Sequence, residues 1–337
     1  MSRRPLRVGV LGCADIVWRR ALPAMGRVEE VEVVAVASRQ RAKADRFAAR
    51  FGGESVQGYA RLLERDDVDA VYVALPTGLH HRWTLRALEV GKHVLVEKSF
   101  ATSLAETEEM LTAARRNGLW VTENFAFVHH HQHGEVRKLI ADGAIGEPHL
   151  FTGEFGIPPR SPGDIRYRAD LGGGALLDVG AYPVRAAQLF LGSGVSVVGA
   201  TLLVDGERGV DLGGSALLCS EAGVAAQLTF SFQSSYRSAY SVWGGAGRIT
   251  LERAFSVPPT LRTVVRLERE GGVEEYELPP DDQFANAIRA FARAVRDGAD
   301  PAGHGDVLLQ QAGLLEEIRN QARRFPAVPT AGVPDGR

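Results

Sequence analysis

Cysteine is nearly missing from this 337-residue chain, which holds only Cys13 and Cys219. The two lie far apart and form neither a disulfide framework nor a zinc pattern, so a reducing, cytoplasmic setting is expected. No apolar run reaches the length of a membrane span. The basic start "MSRRP" leads directly into a strand, with no separate hydrophobic segment and no small-residue cleavage site, and does not read as a secretion signal. A large charge of either sign is lacking as well. The formal net charge is -2, which argues against a polyanion such as nucleic acid as partner. Repeats and low-complexity tracts are also absent. What is present is a chain 45% hydrophobic and 24% charged, enough for a large core and expected to fold as more than one domain.

The first 125 residues alternate between two periods. Strands are expected at "LRVGVLG" (6–12), "VEVVAVAS" (31–38), "VDAVYVALP" (68–76), "KHVLVE" (92–97) and "LWVTENF" (119–125). Amphipathic helices fall between them at 17–26, 41–52, 80–91 and 104–118. Near-continuous apolar strands separated by helices predict a parallel sheet covered on both faces. Ligands of such sheets bind outside the carboxyl ends of the strands. Leu75-Pro76, Val96-Glu97-Lys98 and Glu123-Asn124 lie at such ends. A lysine at the tip of an apolar strand is costly unless something uses its charge.

Beyond residue 126 the pattern changes. Strand-like runs follow one another between 196 and 277, and Ser220-Glu221-Ala222-Gly223 reads as a hairpin turn. Strands without intervening helices predict an antiparallel sheet. Two helices are expected near the end, at 283–298, with Phe284, Ile288, Phe291 and Val295 on one face, and at 306–324. The expected division is 1–125, 126–325 and a mobile tail at 326–337.

"GVLGCADIVWRR" closes the first strand and opens a helix. The dinucleotide fingerprint wants three glycines there. Gly12 holds the first place, Ala14 the second and Val17 the third, with Cys13, Asp15 and Ile16 completing the turn. As a motif this is degraded, and a plain strand–turn–helix is the competing reading. The second strand ends in Ser38-Arg39, where an NAD-binding protein normally carries an acid for the ribose 2′-hydroxyl. A hydroxyl and a guanidinium suit a 2′-phosphate instead, which predicts NADP(H), with Arg41 and Lys43 adding charge. A solvated basic loop is the bland alternative.

"LGGGALLDVGAYPV" (171–184) places Asp178 and Tyr182 at i,i+4 on one helix face, a carboxylate one turn from a phenol. "HHHQH" (129–133) tempts a metal reading. Adjacent histidines lack the inward spacing and carboxylate support of a ligand set, so they read as solvated or interfacial, and no metal is expected.

Taken together, "GVLGCADI", "VLVEKSFA", "GAIGEP" and "GGGALLDVGAY" resemble the Gfo/Idh/MocA oxidoreductase family, in order and over nearly the whole chain. The resemblance implies an α/β protein: an N-terminal Rossmann dinucleotide-binding domain joined to a C-terminal α/β domain. The second domain's open, mostly antiparallel sheet commonly serves in oligomerisation, implying a dimer or tetramer. The family's Glu-Lys-Pro motif falls on Glu97-Lys98-Ser99, with serine in place of proline, and its Asp-x-Gly-x-His/Tyr motif on Asp178–Tyr182. Tyrosine rather than histidine at 182 points away from the inositol dehydrogenases and towards the glucose–fructose oxidoreductases and the nucleotide-sugar 3-ketoreductases. With "GCADIVWRRALPAM" and "ASR" the chain is most similar to the latter, NADPH-dependent enzymes of deoxysugar biosynthesis. These reduce the C3 ketone of a dTDP-3,4-diketo-2,6-dideoxyhexose. The resemblance implies that Lys98 polarises the ketone and that Tyr182 delivers the proton. A neighbouring ammonium would pull the phenol below its free pKa of ~10. Lys98 as the direct donor, with Tyr182 positioning the sugar, stays open. Asp178 would orient substrate or Lys98. Leu75, Pro76 and His80 would border the cofactor, Tyr59 its adenine side, and Arg166 a diphosphate or the nicotinamide. Arg19 and Tyr236 would reach the substrate, Tyr236 from a sheet strand. Two other functions remain compatible: an NAD(P)-dependent dehydrogenase of a free sugar or polyol, and a non-catalytic NAD(P)-binding sensor.

Overall fold

The computed structural model describes residues 4–298 and 302–327. It divides into two compact units, Met1–His129 with Asp282–Leu309, and His130–Asp281 with Gln310–Arg337.

The first unit is built on six parallel strands: β1 (Leu6–Leu11), β2 (Val31–Ser38), β3 (Glu54–Gln57), β4 (Ala70–Val73), β5 (His93–Glu97) and β6 (Val121–Asn124). They are ordered β3-β2-β1-β4-β5-β6, so the chain reverses direction across the sheet between β1 and β4. Side chains alternate between the faces. Val8, Val10 and Val36 pack on one face with Leu22, Met25 and Phe47. Val71, Val73, Val94 and Val96 pack on the other with Leu88, Met110 and Leu111. Each such aliphatic side chain stabilises by roughly 1.5–3 kcal/mol when fully buried. Every residue of β4 is buried, as the unbroken apolar run requires. β3 has no such run. It is a four-residue polar edge strand, recognisable only by its pairing to β2.

Residues 282–309 return to this first unit, which a division at 125/126 does not anticipate. Asp282 caps the helix Gln283–Asp297 by accepting the N–H groups of Phe284 and Ala285 at 3.1 and 3.2 Å. Ile288, Phe291 and Ala292 then enter the core beside Leu22 and Met25, with Phe284 and Val295 partly buried against it.

The second unit carries a nine-stranded sheet ordered β14-β13-β12-β11-β7-β10-β9-β8-β15. Its strands are β7 (Pro148–Gly156), β8 (Val195–Asp205), β9 (Val210–Ser220), β10 (Ala225–Ser231), β11 (Arg237–Gly244), β12 (Gly247–Leu251), β13 (Thr263–Arg269), β14 (Gly272–Leu278) and β15 (Arg323–Pro326). All neighbours are antiparallel except β7 with β10 and β8 with β15. The hairpin at Ser220–Gly223 joins β9 to β10, with Gly223 at φ 82°. The helix Ala181–Leu191 covers one face closely. A Cβ on Gly153 would lie 2.8 Å from Pro183, and one on Gly180 would lie 3.0 Å from the Phe230 ring. Strand register places Leu203, Leu217, Trp243, Val264, Val273 and Phe325 on the opposite face, and all six are exposed. The last helix ends at Gln321 rather than 324, because the chain turns into β15. Pro326, expected in a mobile tail, closes that strand; 328–337 lie outside the described residues. Among the described residues no helix is long and apolar enough to cross a membrane.

The histidine run is mostly turned inward. His133 Nδ1 meets the buried Tyr240 hydroxyl at 2.9 Å, and the Gln132 amide donates to the carbonyls of Arg253 and Ala254. His131 reaches Asp281 through its backbone N–H and its Nδ1, both at 2.9 Å. His130, His131 and Asp281 offer donor atoms within 4.8 Å of one another. His130 is 1% exposed and accepts the N–H of Gln132, capping the helix His131–Ala141. Burial lowers its pKa to about 4, with Asp281 opposing and His131 adding to the shift. In the unfolded chain the same group titrates near ~6.5, so the unfolded state takes up the proton first. Stability is therefore lost as pH falls from 6.5 towards 4, by up to about 2 kcal/mol at pH 5. His130→Asn keeps the cap and removes the titration. Thermal melts at pH 7.5 and 5 should show a smaller drop for this variant than for the parent; equal drops would refute the assignment.

Candidate active site

The turn after β1 is shaped by Gly12. Its φ is 111°, and a Cβ there would overlap the carbonyl oxygen of Ala74. Only glycine lets the end of β4 approach so closely. Ala14 accepts the N–H of Val17 at 3.1 Å as the following helix begins. Val17, in place of the third glycine, is fully buried, and the helix opens with a wide π turn over Val17–Ala21. Asp15 and Arg19 are exposed and paired with each other at 2.5 Å, one helical turn apart.

Cys13, Ser38, Arg39 and Tyr59 come together beside this turn. The Cys13 thiol points to the Ala37 carbonyl at 4.0 Å, with Ser38 close enough to act on it, and the Arg39 charge acts on the Tyr59 hydroxyl. Burial pushes the thiol up to about 11 against the pull of Ser38 and Lys43, so it is neutral and unreactive at ordinary pH. Tyr59 starts a short helix, and its ring meets Trp83 edge-on at 5.1 Å. A buried hydroxyl and an exposed guanidinium at the end of β2, beside a turn without a Cβ, fit a dinucleotide carrying a 2′-phosphate.

At the end of β5, Glu97 and Lys98 diverge. Glu97 is 8% exposed and faces inward, accepting from the Tyr72 hydroxyl and from Asn124 Nδ2 at 2.7 Å. Burial raises its pKa, opposed by those hydrogen bonds and the Lys98 charge. Its carboxylate thus ties β4, β5 and β6 together at their carboxyl ends instead of reaching outward. Lys98 is half-buried at the tip, and the peptide bond to Ser99 is cis. Phe100 N–H donates to Glu123 at 2.8 Å, which secures the turn that follows.

His80 requires a correction. It was expected to border the cofactor, but its ring is completely buried, with Nδ1 2.8 Å from the Ser99 carbonyl and Nε2 2.7 Å from that of Leu75. Burial lowers its pKa, and the carbonyls pull the other way. It fixes the backbone after β4 and β5, leaving Leu75 and Pro76 partly exposed at the sheet edge.

In the second unit, the glycine run explains itself atom by atom. Gly172 is left-handed. A Cβ on Gly173 would lie 2.5 Å from the Arg166 carbonyl oxygen and 2.7 Å from that of Arg168. Gly174, at φ 120°, abuts the Asp211 carboxylate. Asp211 Oδ2 accepts the Leu176 N–H at 2.6 Å and so caps the helix that carries the motif. Burial raises the pKa of Asp211, opposed by the helix N–H groups. Nearly every residue from Gly174 to Gln188 is buried, but Asp178 and Tyr182 are half-exposed. Tyr182 meets Phe155 edge-on at 4.8 Å and Phe255 at 5.6 Å, so its ring direction is set by packing. Arg166 Nε donates to Asp178 Oδ2 at 2.6 Å. Tyr236 does not sit on a strand: it lies in the loop before β11, 41% exposed, against Phe155 and under Arg253.

Tyr72, Asp164 and Asp211 are absent from the sequence expectations, and Asn124 stands in them only as the end of a strand. Asp164, followed by Ile-Arg, had a local signal as a turn-capping acid. Asp211 and Tyr72 had none, since their partners are 35 and 25 residues away.

Comparison with known proteins adds the following. Residues 6–125 match the model of an oxidoreductase family with an NAD-binding Rossmann fold, GFO_IDH_MocA, and residues 133–250 match the GFO/IDH/MocA C-terminal domain. A dTDP-3,4-didehydro-2,6-dideoxy-alpha-D-glucose 3-reductase of Saccharopolyspora spinosa is 54% identical over 96% of this chain and 98% of its own. The crystal structure of KijD10, a 3-ketoreductase from Actinomadura kijaniata in complex with NADP and TDP-benzene, superposes with a TM-score of 0.94. It is 50% identical and covers 96% of this chain and all of its own. A D-xylose 1-dehydrogenase (NADP(+)) of Haloferax volcanii is 35% identical over 95% of this chain and 98% of its own.

Proposed function

The chain belongs to the Gfo/Idh/MocA oxidoreductase family, and from that premise we propose that it is an NADPH-dependent sugar 3-ketoreductase. Its substrate is a dTDP-3,4-diketo-2,6-dideoxyhexose, reduced at C3 to the secondary alcohol. The observation that carries this is identity of half or more to nucleotide-sugar 3-reductases along the entire fold. Lys98, Asp178 and Tyr182 are all present alongside it.

Bound NADPH supplies the hydride. Lys98 brings a positive charge to the ketone oxygen and stabilises the alkoxide as it forms, in a setting where burial strengthens the attraction. Tyr182 gives the proton that completes the alcohol. Asp178 orients the sugar. Arg39 and Ser38 hold the 2′-phosphate, and Gly12 admits the diphosphate. Leu75 and Pro76 border the cofactor, as do Cys13, Ala14, Asp15, Ile16 and Tyr59. Arg19 and Tyr236 are assigned to the nucleotide sugar. Placement in deoxysugar and antibiotic biosynthesis, and in the cytoplasm, belongs to the same reading; the free thiols of both cysteines suit it. The apolar side chains on the uncovered face of the nine-stranded sheet support assembly of copies through that face.

The test is NADPH oxidation followed at about 340 nm, where the reduced nicotinamide absorbs. Rapid consumption with the diketo nucleotide sugar, and little with free aldoses, is the expected result. Preference for a free aldose with NADP+ would favour the dehydrogenase reading, which the resemblance to the D-xylose enzyme keeps in view. Binding without turnover of either would favour the sensor.

A further inference from the structure

The loop before the glycine run forms a unit that the proposed chemistry does not yet use. Asp164 caps its own turn, accepting the Arg166 N–H at 2.9 Å. The same carboxylate accepts from Arg166 Nη1 at 3.1 and 3.3 Å. Arg166 Nε then donates to Asp178 at 2.6 Å. The backbone is tied across as well: Gly174 N–H donates to the Arg166 carbonyl at 2.9 Å, and Gly173 leaves room for that approach. One guanidinium is therefore clamped between two carboxylates, on a turn bonded to the start of the helix that carries Asp178.

We infer that Asp164 and Arg166 form a positioning pair for Asp178, and that Arg166 is not a receptor for a phosphate of either ligand. This rests on the reductase reading, in which Asp178 orients the sugar. One positive charge stands against two negative ones, so the cluster as a whole repels a diphosphate. Only Nη2 is without a hydrogen bond among the described residues, leaving one edge of the fork for any anion. Burial works against the charged guanidinium, but Asp178 and Asp164 more than compensate and raise its pKa. A planar fork suits this role, since Nε and Nη1 reach two acceptors at a fixed angle, which an ammonium on a flexible stem does not reproduce. Asp164 itself does not touch the sugar. It acts by holding the guanidinium in the orientation from which it holds Asp178.

Steady-state kinetics on Asp164→Asn, Arg166→Lys and Arg166→Ala separate the alternatives. A positioning pair predicts that kcat falls about three- to tenfold for Asp164→Asn and about 10–100-fold for both arginine variants. KM for NADPH and for the nucleotide sugar should stay within about twofold, as expected when only orientation is lost. Added guanidinium ion should restore part of kcat to Arg166→Ala and none to Asp164→Asn. The inference is overturned if Arg166→Ala keeps kcat and raises either KM tenfold or more, the signature of a phosphate contact. It is equally overturned if Asp164→Asn and Arg166→Lys both turn over at the parental rate. Should Arg166→Ala fail to fold in a thermal melt, the other two variants decide by the same split. Failure here is distinct from failure of the reductase reading, which is judged on NADPH consumption by the parent protein with the diketo nucleotide sugar.

Discussion

Lys98→Ala is expected to cut kcat at least about a hundredfold, with KM for NADPH nearly unchanged. The ammonium stands at the end of a strand whose flanking residues have anchors of their own. Glu97 is turned inward to Tyr72 and Asn124, and Ser99 is held by His80. Truncation at 98 should therefore leave the strand end in place and remove one charge. That charge is needed more by the alkoxide than by the ketone, so the loss falls on turnover. Tyr182→Phe should lose roughly as much, since Phe155 and Phe255 continue to seat the ring and only the hydroxyl is gone. Parental turnover in both variants, measured by NADPH consumption, would remove them from the chemistry altogether.

The second large effect concerns the cofactor. Arg39→Ala should raise KM for NADPH by about 10–100-fold, the worth of charge-assisted bonds to a phosphate, and leave KM for NADH almost as it was. Adding Ser38→Asp should invert the preference, because a carboxylate at the end of β2 accepts from a 2′-hydroxyl and repels a 2′-phosphate. Cys13 and Tyr59, packed beside these residues, should tolerate either change. A parallel loss with both cofactors would mean that Arg39 holds some part they share.

The strands of the first unit were readable because each is an apolar run bounded by turn residues; β1, β2, β4, β5 and β6 all lie where that pattern puts them. β3 escaped because an edge strand with neither face buried has no pattern to read. Arg323–Pro326 escaped for a different reason. Two arginines, one phenylalanine and a proline make no apolar alternation, and its partner β8 lies more than a hundred residues earlier. The same divide runs through the site. Gly12, Lys98, Asp178 and Tyr182 stand in short contiguous stretches that resemble the family's motifs. Asp211, Tyr72 and Asn124 matter only through what the fold brings to them. His80 shows how position along a strand can mislead: residue 80 is at the correct edge of the sheet, but its ring points into the interior.

The helix Gln283–Asp297 completes a core begun more than 260 residues earlier, with Ile288 and Phe291 seated beside Leu22 and Met25. During translation, then, the amino-terminal segment leaves the ribosome with part of its hydrophobic floor bare, and must wait for the rest of the polypeptide before closing it. An excised fragment ending at residue 125 would carry the same open wound, and stickiness rather than weak cofactor affinity would be the first thing noticed about it.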